Sequence, residues 1–164
     1  MTITSTISPC LWFDDDLEEA ARFYTGIFPN SSIGHLTRYN AAGPGEPGKV
    51  MAGEFTLNGL TFRGINGGPA EFRFSEAVSF SVTCHDQSEV DYYWDALVDG
   101  GEASVCGWLR DRFGLSWQIV PTRLYELVSD PDPVRAQAAT RAMLGMRRIV
   151  VADLEAAADA ASVG

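Results

Sequence analysis

The chain contains an internal repeat, and this feature constrains its fold more than any other. Residues 7–13 read as a strand that is followed by acidic residues and a helical stretch, and the same order returns from residue 77 onward. Three pairs of residues in equivalent places lie 71 positions apart, namely Ser8 and Ser79, Asp15 and Asp86, and Phe23 and Trp94. A fold built from two similar modules is therefore predicted.

Further strands are predicted after each helix. In the first half the helix covers 17–28 and the strands cover 32–39, 50–57 and 60–65; in the second half the helix covers 89–98 and the strands cover 102–106, 108–111 and 115–120. Each half ends in a predicted hairpin, with a strong turn signal at Asn58-Gly59 and a weaker one at Phe113-Gly114. The order predicted for each module is therefore βαβββ.

The predicted class is α+β: two βαβββ modules forming a curved-sheet cup, plus a C-terminal helical extension. The paired modules are assigned to residues 1–121, divided at about 1–70 and 71–121, and the extension to 122–164. Side-chain alternation separates the two faces of the second sheet. The residues predicted to face the helix are Val78, Phe80, Val82, Leu115, Trp117 and Ile119, and those predicted to face the cup are Ser79, Ser81, Thr83, Ser116, Gln118 and Val120.

The extension is predicted to contain three helices: 124–128, 134–146 opened by Pro133, and 154–161 capped by Asp153. An apolar stripe on the middle helix is expected to pack on this chain or on a partner subunit; it consists of Ala136, Ala139, Met143 and Met146. A homodimer is expected, because a single module is too small to close a cup alone.

Charge and composition narrow the possible partners. The formal net charge is −10 with only twelve Lys and Arg residues, so nucleic acid is not expected as a partner. No apolar run is long enough for a membrane helix, and the beginning of the sequence lacks the pattern of a secretory signal, which together predict a cytoplasmic protein. Cys10, Cys84 and Cys106 are odd in number and widely spaced, and they are expected to be reduced and buried.

Several local motifs add a family resemblance: ISPCLWFDD (7–15), AARFYTGIFPNSSIG (20–34), NGGP (66–69), CGWLRDRFGLSWQIVP (106–121) and SDPDP (129–133). With the duplicated pattern, they resemble the vicinal oxygen chelate superfamily of glyoxalases, bleomycin-resistance proteins and extradiol dioxygenases. Within it the chain is most similar to the PhnB-like branch, the 3-demethylubiquinone-9 3-methyltransferase domain. The resemblance implies the fold and paired subunits, but no single activity.

The resemblance also implies where metal ligands would lie. Metal-dependent members of the superfamily hold one ion with four side chains, which here correspond to Ser8, Arg63, Ser79 and Gln118. None of these is a His, Cys or carboxylate, and a guanidinium repels a cation, so no metal is expected. No cofactor is expected either, because the turns into both helices are acidic and NGGP does not open a helix.

Arg63 is the leading candidate for ligand binding. Arg63 corresponds to one of the metal-ligand positions of the superfamily, and its guanidinium is predicted to bind an anionic or strongly polar group there. Gln118, Ser8 and Ser79 are predicted to help. Two alternatives stay open: Arg63 pairs with an internal carboxylate such as Glu54, or the strand register differs by one residue and Arg63 faces outward.

Other candidates are weighed in the same way. Trp12 and Trp108 are expected either to line the pocket or to pack in the core. Cys10 should face the cup, although no nearby His in the sequence would activate its thiol, and His35 and His85 are expected to be structural or exposed. The acidic run at 14–16 is explained by its position at a helix start.

The predicted function is therefore that of a PhnB-like protein that binds a small polar or anionic molecule in a pocket without conventional metal ligands. The alternative is a small-molecule enzyme with an unrecognised mechanism: a lyase, an isomerase, a dioxygenase-like enzyme or the methyltransferase of the family label.

Overall fold

The computed structural model describes residues 7–161, so the ends of the segments predicted at 1–121 and 122–164 lie outside the described residues. The chain separates into two compact units, Met1–Phe72 and Arg73–Gly164. The first unit holds one four-stranded sheet and one helix. The second holds a sheet of the same order, its helix and three further helices. The predicted α+β class with two βαβββ modules and a helical extension is confirmed.

The first unit forms a mixed sheet covered on one face by a helix. Its strand order is β1-β4-β3-β2; β1 and β4 are parallel, and the other neighbours are antiparallel. The elements are β1 (Cys10–Phe13), α1 (Leu17–Ile27), β2 (Ser32–Arg38), β3 (Val50–Leu57) and β4 (Leu60–Asn66). Asn58 and Gly59 both have positive φ, at 44° and 85°, as the predicted two-residue hairpin turn requires.

Helix α1 packs on the sheet through an aromatic stack. Tyr24 lies against Phe55 with ring centroids 6.0 Å apart, and Phe55 stacks on Phe62 at 5.3 Å. Gly64 leaves room for Leu17, since a Cβ there would lie 2.1 Å from a Leu17 methyl. Phe62 and Gly64 therefore face the helix, and Arg63 between them faces the opposite side, called here the open face of the first sheet.

The start of helix α1 is held by a side chain from another strand. The acidic run at 14–16 lies directly before the helix, as predicted, but the N-cap residue Asp16 makes no side-chain capping hydrogen bond. The buried Asn66 replaces it: its Oδ1 accepts from the Leu17 amide at 3.0 Å, and its Nδ2 donates to the Val50 carbonyl at 3.0 Å. One side chain thus joins the end of β4 to the helix start.

The second unit repeats this topology and extends it. The strand order β5-β8-β7-β6 has a parallel β5/β8 pair and two antiparallel pairs, which matches the first sheet strand for strand. The elements are β5 (Ser79–Cys84), α2 (Gln87–Val98), β6 (Glu102–Ala103), β7 (Trp108–Arg110), β8 (Ser116–Pro121), α3 (Thr122–Val128), α4 (Pro133–Leu144) and α5 (Val151–Ala161). Strand β6 is shorter than predicted.

The predicted faces of the second sheet hold with two exceptions. Phe80 and Trp117 contact each other at 5.7 Å on the helix side. Val78 was predicted to pack on the helix, but it precedes β5 and is 63% exposed. Val120 was predicted to face the cup, but it is buried in the apolar cluster of the helical extension, which covers that end of β8.

The second hairpin depends on a buried carboxylate that the sequence analysis missed. Gly114 has φ 88°, as the predicted turn at Phe113-Gly114 requires. Asp111 Oδ1 accepts from the amides of Phe113 and Leu115 at 2.9 and 3.0 Å, and its Oδ2 accepts from Trp117 Nε1 at 2.8 Å. Burial of Asp111 at 3% exposure is therefore compatible with its hydrogen-bonding needs.

The helical extension packs on itself and on β8. Its buried cluster contains Val120, Leu124, Leu127, Ala139, Ile149, Leu154 and Ala158, and Met143 and Met146 pack against it within this chain. The predicted cap at Asp153 is wrong, because α5 begins at Val151, whose amide donates to Gln87 Oε1 at 2.8 Å. No helix between residues 7 and 161 has both the length and the apolar character that crossing a membrane requires.

Candidate ligand-binding site

A groove of about 710 Å³ lies on the open face of the first sheet. The polar residues that line it include Ser8, Cys10, His35, Glu54 and Arg63. They come from all four strands and from the segment before β1. Because the helix covers the other face, this is the side on which a small molecule can reach the sheet.

Strand pairing places the groove residues in rows across the sheet. Cys10 on β1 lies opposite Arg63 on β4, and Arg63 lies opposite Glu54 on β3. The next row contains Trp12, Ile65 and Ala52. Residues paired in this way point to the same side, so a charged row runs beside an apolar row.

Arg63 both faces the groove and contacts Glu54, two arrangements that the sequence leaves as alternatives. It faces the groove, so the register is as predicted, and its Nε donates to Glu54 Oε1 at 3.1 Å. Its side chain is 64% exposed, and within residues 7–161 neither Nη atom has a protein partner. The contact with Glu54 holds the Nε side of the guanidinium and leaves its two Nη atoms available to a ligand.

His35 lines the same groove, which the sequence analysis did not foresee. Pairing of β2 with β3 runs from Ile33–Phe55 to Leu36–Gly53, so two residues, Gly34 and His35, lie opposite Glu54. This β-bulge interrupts the alternation of sides along β2, and His35, which is exposed as expected, lines the groove. Gly34 within a strand was the available signal, since an isolated strand glycine indicates a bulge or close backbone approach.

The cysteines occupy different environments. Cys10 is exposed in the groove, and its thiol has no hydrogen-bond partner in the described part of the chain, so no base is in place to activate it. Cys84 is buried, and burial together with the nearby Glu89 and Asp86 carboxylates raises the pKa of its thiol to about 12. The expectation that all three are buried is wrong for Cys10, because its side chain points to the open face, and Cys106 is only half-buried.

Trp12 lies beside the groove, next to Ile65. Its Nε1 donates to the Gly68 carbonyl at 3.0 Å, and its ring meets Phe72 edge to face at 5.3 Å. A Cβ on Gly67 would lie only 1.9 Å from the indole, so the glycine makes this position possible. Trp12 is therefore held rigidly and is still 39% exposed.

The other predicted site residues lie on the second sheet. Gln118 Nε2 donates to Ser79 Oγ at 2.9 Å, and Trp108 lies directly opposite Gln118 on β7. Ser116, on the same side of β8, is 1% exposed, and its hydroxyl has no hydrogen-bond partner among the described residues. These residues lie on the face of the second sheet opposite α2, where Ser116 is buried and Gln118 is half-buried.

Neither sheet offers a donor set that suits a conventional divalent metal. No group of three or more His, Cys, Asp or Glu side chains within residues 7–161 is arranged to hold an ion. Ser8 and the permanently charged Arg63 stand in the first unit, and the Gln118–Ser79 pair stands in the second. The residues therefore do not fit the metal that the fold is known to carry elsewhere.

The glycine loop NGGP does not provide a nucleotide-type cradle either. The amide of Gly67 donates to the Phe13 carbonyl at 3.0 Å, and the amide of Gly68 donates to the Asp14 carbonyl at 3.1 Å. A phosphate-binding loop needs such amides to be free. The loop instead connects β4 to β1 and packs against Trp12.

His85 lies at the start of α2 and serves that helix. Its amide donates to Glu89 Oε2 at 2.7 Å, while the Glu89 amide donates to Asp86 Oδ1 at 3.0 Å. The reciprocal arrangement is a capping motif. It gives His85 a structural setting outside the groove.

This fold and the motifs agree with the comparisons with known proteins. The family model of 3-demethylubiquinone-9 3-methyltransferase matches residues 5–120, and the chain belongs to this PhnB-like family of the vicinal oxygen chelate superfamily. The PhnB protein from Bacillus cereus is 35% identical, with a TM-score of 0.68, over 72% of this chain and 100% of that chain.

More distant structures share the fold. Protein PA1353 from Pseudomonas aeruginosa is 18% identical with a TM-score of 0.61, over 72% of this chain and 98% of that one. The fosfomycin resistance protein FosX from Listeria monocytogenes is also 18% identical, with a TM-score of 0.54, over 76% of this chain and 97% of that one. No curated protein matches the chain significantly.

Proposed function

We propose that this protein binds a small anionic or strongly polar molecule in the groove on the open face of the first sheet, without a conventional metal. The observation that carries the proposal is the Arg63 guanidinium, which faces the groove with both Nη atoms free of partners among residues 7–161. Two parallel N–H donors match a carboxylate, phosphate or phosphonate.

The Glu54 contact supports this role. It engages only Nε, so it orients the guanidinium and leaves the bidentate edge open. The Ser8 hydroxyl lines the groove and can add a hydrogen bond. A charge-assisted hydrogen bond contributes about 1.5–3 kcal/mol, and solvent screening at this exposed position favours the lower end.

The other candidate residues are assigned roles according to the sheet on which they lie. Cys10 and Trp12 are proposed to contact the ligand on the first sheet, and Ser79, Gln118 and Trp108 to contact polar or planar groups on the second. The Gln118–Ser79 hydrogen bond supports this, because it holds the amide oxygen of Gln118 in a fixed orientation.

A second candidate is a metal-independent enzyme of the lyase, isomerase or transferase type acting in the same groove. The observation that favours it is His35, whose imidazole is a potential general base near Glu54 in the groove that Arg63 also lines. Chemical change in a bound ligand separates this candidate from simple binding.

The test is a thermal-shift screen of small carboxylates, phosphates and phosphonates with their neutral isosteres, followed by product analysis. Fosfomycin belongs in the panel because FosX proteins share the fold. Anions are expected to stabilise the wild type but not Arg63→Ala, while Arg22→Ala, which removes a positive charge from α1 on the other side of the sheet, is expected to respond like the wild type. Equal stabilisation of Arg63→Ala contradicts the proposal, and altered ligand favours the enzyme.

We also propose a cytoplasmic homodimer, as the sequence and the family resemblance suggest. Met143 and Met146 pack against the buried cluster of this chain but are only partly buried, so part of their surface remains available to a partner subunit. Light scattering at micromolar concentration is expected to give twice the 17.8 kDa chain mass, and a mass near 18 kDa contradicts the dimer.

A further inference from the structure

We propose that the groove selects zwitterions, small molecules in which an anionic group and an ammonium group lie a few bonds apart, a selectivity that rests on the anion binding proposed for Arg63. The proposal is supported by Glu54, the carboxylate that pairs with Arg63. Glu54 uses Oε1 for Arg63 Nε, and its Oε2 has no partner within residues 7–161. The groove therefore offers a free donor edge and a free acceptor atom side by side.

The pairing geometry fixes how these two groups are presented. Arg63 and Glu54 lie directly opposite each other on β4 and β3, and their contact joins Nε to a single carboxylate oxygen. An anion on the Nη edge and an ammonium on Oε2 would complete a ring of four alternating charges. Each ligand charge then has an opposite charge beside it.

The charge balance of the groove favours a ligand without net charge over a simple anion. The described residues that line it include one acidic side chain, Glu54, and one arginine, Arg63, so the formal charges of these two cancel. The whole chain carries a formal net charge of −10. A ligand with no net charge is not repelled by this background, and its ammonium group removes the repulsion between a bound anion and Glu54.

The row beside the ion pair accommodates an apolar side group. Ile65 and Ala52 line the groove one row from Arg63 and Glu54, and Trp12 lies next to Ile65 at the edge of the groove. A small amino acid with an apolar or aromatic side chain combines all three features. Phenylalanine is therefore a suitable probe.

The experiment is a titration of the ¹⁵N-labelled full-length protein, followed by NMR, with three probes of the same skeleton. Phenylalanine carries both charges, 3-phenylpropionate only the carboxylate, and phenethylamine only the ammonium group. Shifts of the β1–β4 amides and of the Arg63 Nε–Hε signal report binding in the groove. The variants are Glu54→Gln, Arg63→Gln and, as a matched charge control on α1, Glu19→Gln.

Phenylalanine is expected to bind at least about fivefold more tightly than either single-charge probe, given a partly exposed charge contact. Glu54→Gln should reduce this preference over 3-phenylpropionate to less than twofold, Arg63→Gln should weaken both carboxylates, and Glu19→Gln should change neither. Zwitterion selectivity is overturned if 3-phenylpropionate or phenethylamine binds as well as phenylalanine, or if Glu54→Gln leaves the preference intact. If neither carboxylate shifts the first-sheet signals, the anion proposal for Arg63 fails as well.

Discussion

Replacement of Asn66 by alanine tests how the first unit is held together. The change removes the acceptor for the Leu17 amide and the donor to the Val50 carbonyl, both at 3.0 Å and both in buried residues. A buried polar group left without a partner costs about 1–3 kcal/mol, so two such groups should lower the free energy of unfolding by roughly 2–6 kcal/mol. A third contact, to the Asp15 carbonyl at 3.3 Å, adds little because water can replace it there.

The assay is urea unfolding followed by tryptophan fluorescence and circular dichroism. The control is Asn40→Ala, which removes an exposed loop hydrogen bond to the Ala42 amide and should change stability by less than about 0.5 kcal/mol. If the free energy of unfolding of Asn66→Ala lies within about 0.5 kcal/mol of the wild-type value, the Asn66 side chain does not join β4 to α1 in the way described.

Three further changes have defined outcomes. Gly67→Ala should push the Trp12 indole out of place, destabilise by about 1–3 kcal/mol and shift its fluorescence, whereas unchanged emission would contradict the packing. Gln87→Ala removes the acceptor for the first amide of α5, so hydrogen exchange should accelerate in that helix, and equal protection would refute this link. Hydrogen bonds, chiefly from the Ser88 hydroxyl, lower the pKa of Asp86 in the folded protein. The stability that this shift contributes is present above the unfolded pKa of 3.8 and should disappear as the pH falls through the folded pKa. The variant Asp86→Asn should show no such loss of stability over that pH interval.

Much of the fold could be predicted because the βαβββ pattern occurs twice in the sequence. The repeat, the alternation in β5 and β8 and the Asn58-Gly59 turn each depend on local spacing, and each agrees with the structure, apart from Val78 before β5 and Val120 near the end of β8. Local patterns do not show which distant side chain completes a helix start. Asn66 at α1 and Gln87 at α5 act across 49 and 64 residues respectively, so neither could be found from the neighbouring sequence.

The position of one candidate residue in the groove could be predicted for the same reason. Arg63 was placed correctly because β4 keeps a strict alternation. His35 was missed because the bulge at Gly34 shifts the alternation by one residue, and the shift becomes visible only when β2 is paired with β3. The Arg63–Glu54 contact had been treated as an alternative to ligand binding, yet the structure shows that one nitrogen of the guanidinium can serve it while the other two remain free among the described residues.

Anion binding by Arg63 without help from a metal can be measured by titration calorimetry. The samples are EDTA-treated wild type and Arg63→Ala, and the ligand is the anion that gives the largest thermal shift in the screen. Chelation is expected to leave the wild-type affinity unchanged, and the variant is expected to bind about tenfold more weakly or worse, with wild-type thermal stability. Loss of binding on chelation, or equal affinity in the variant, would contradict metal-free anion binding by Arg63.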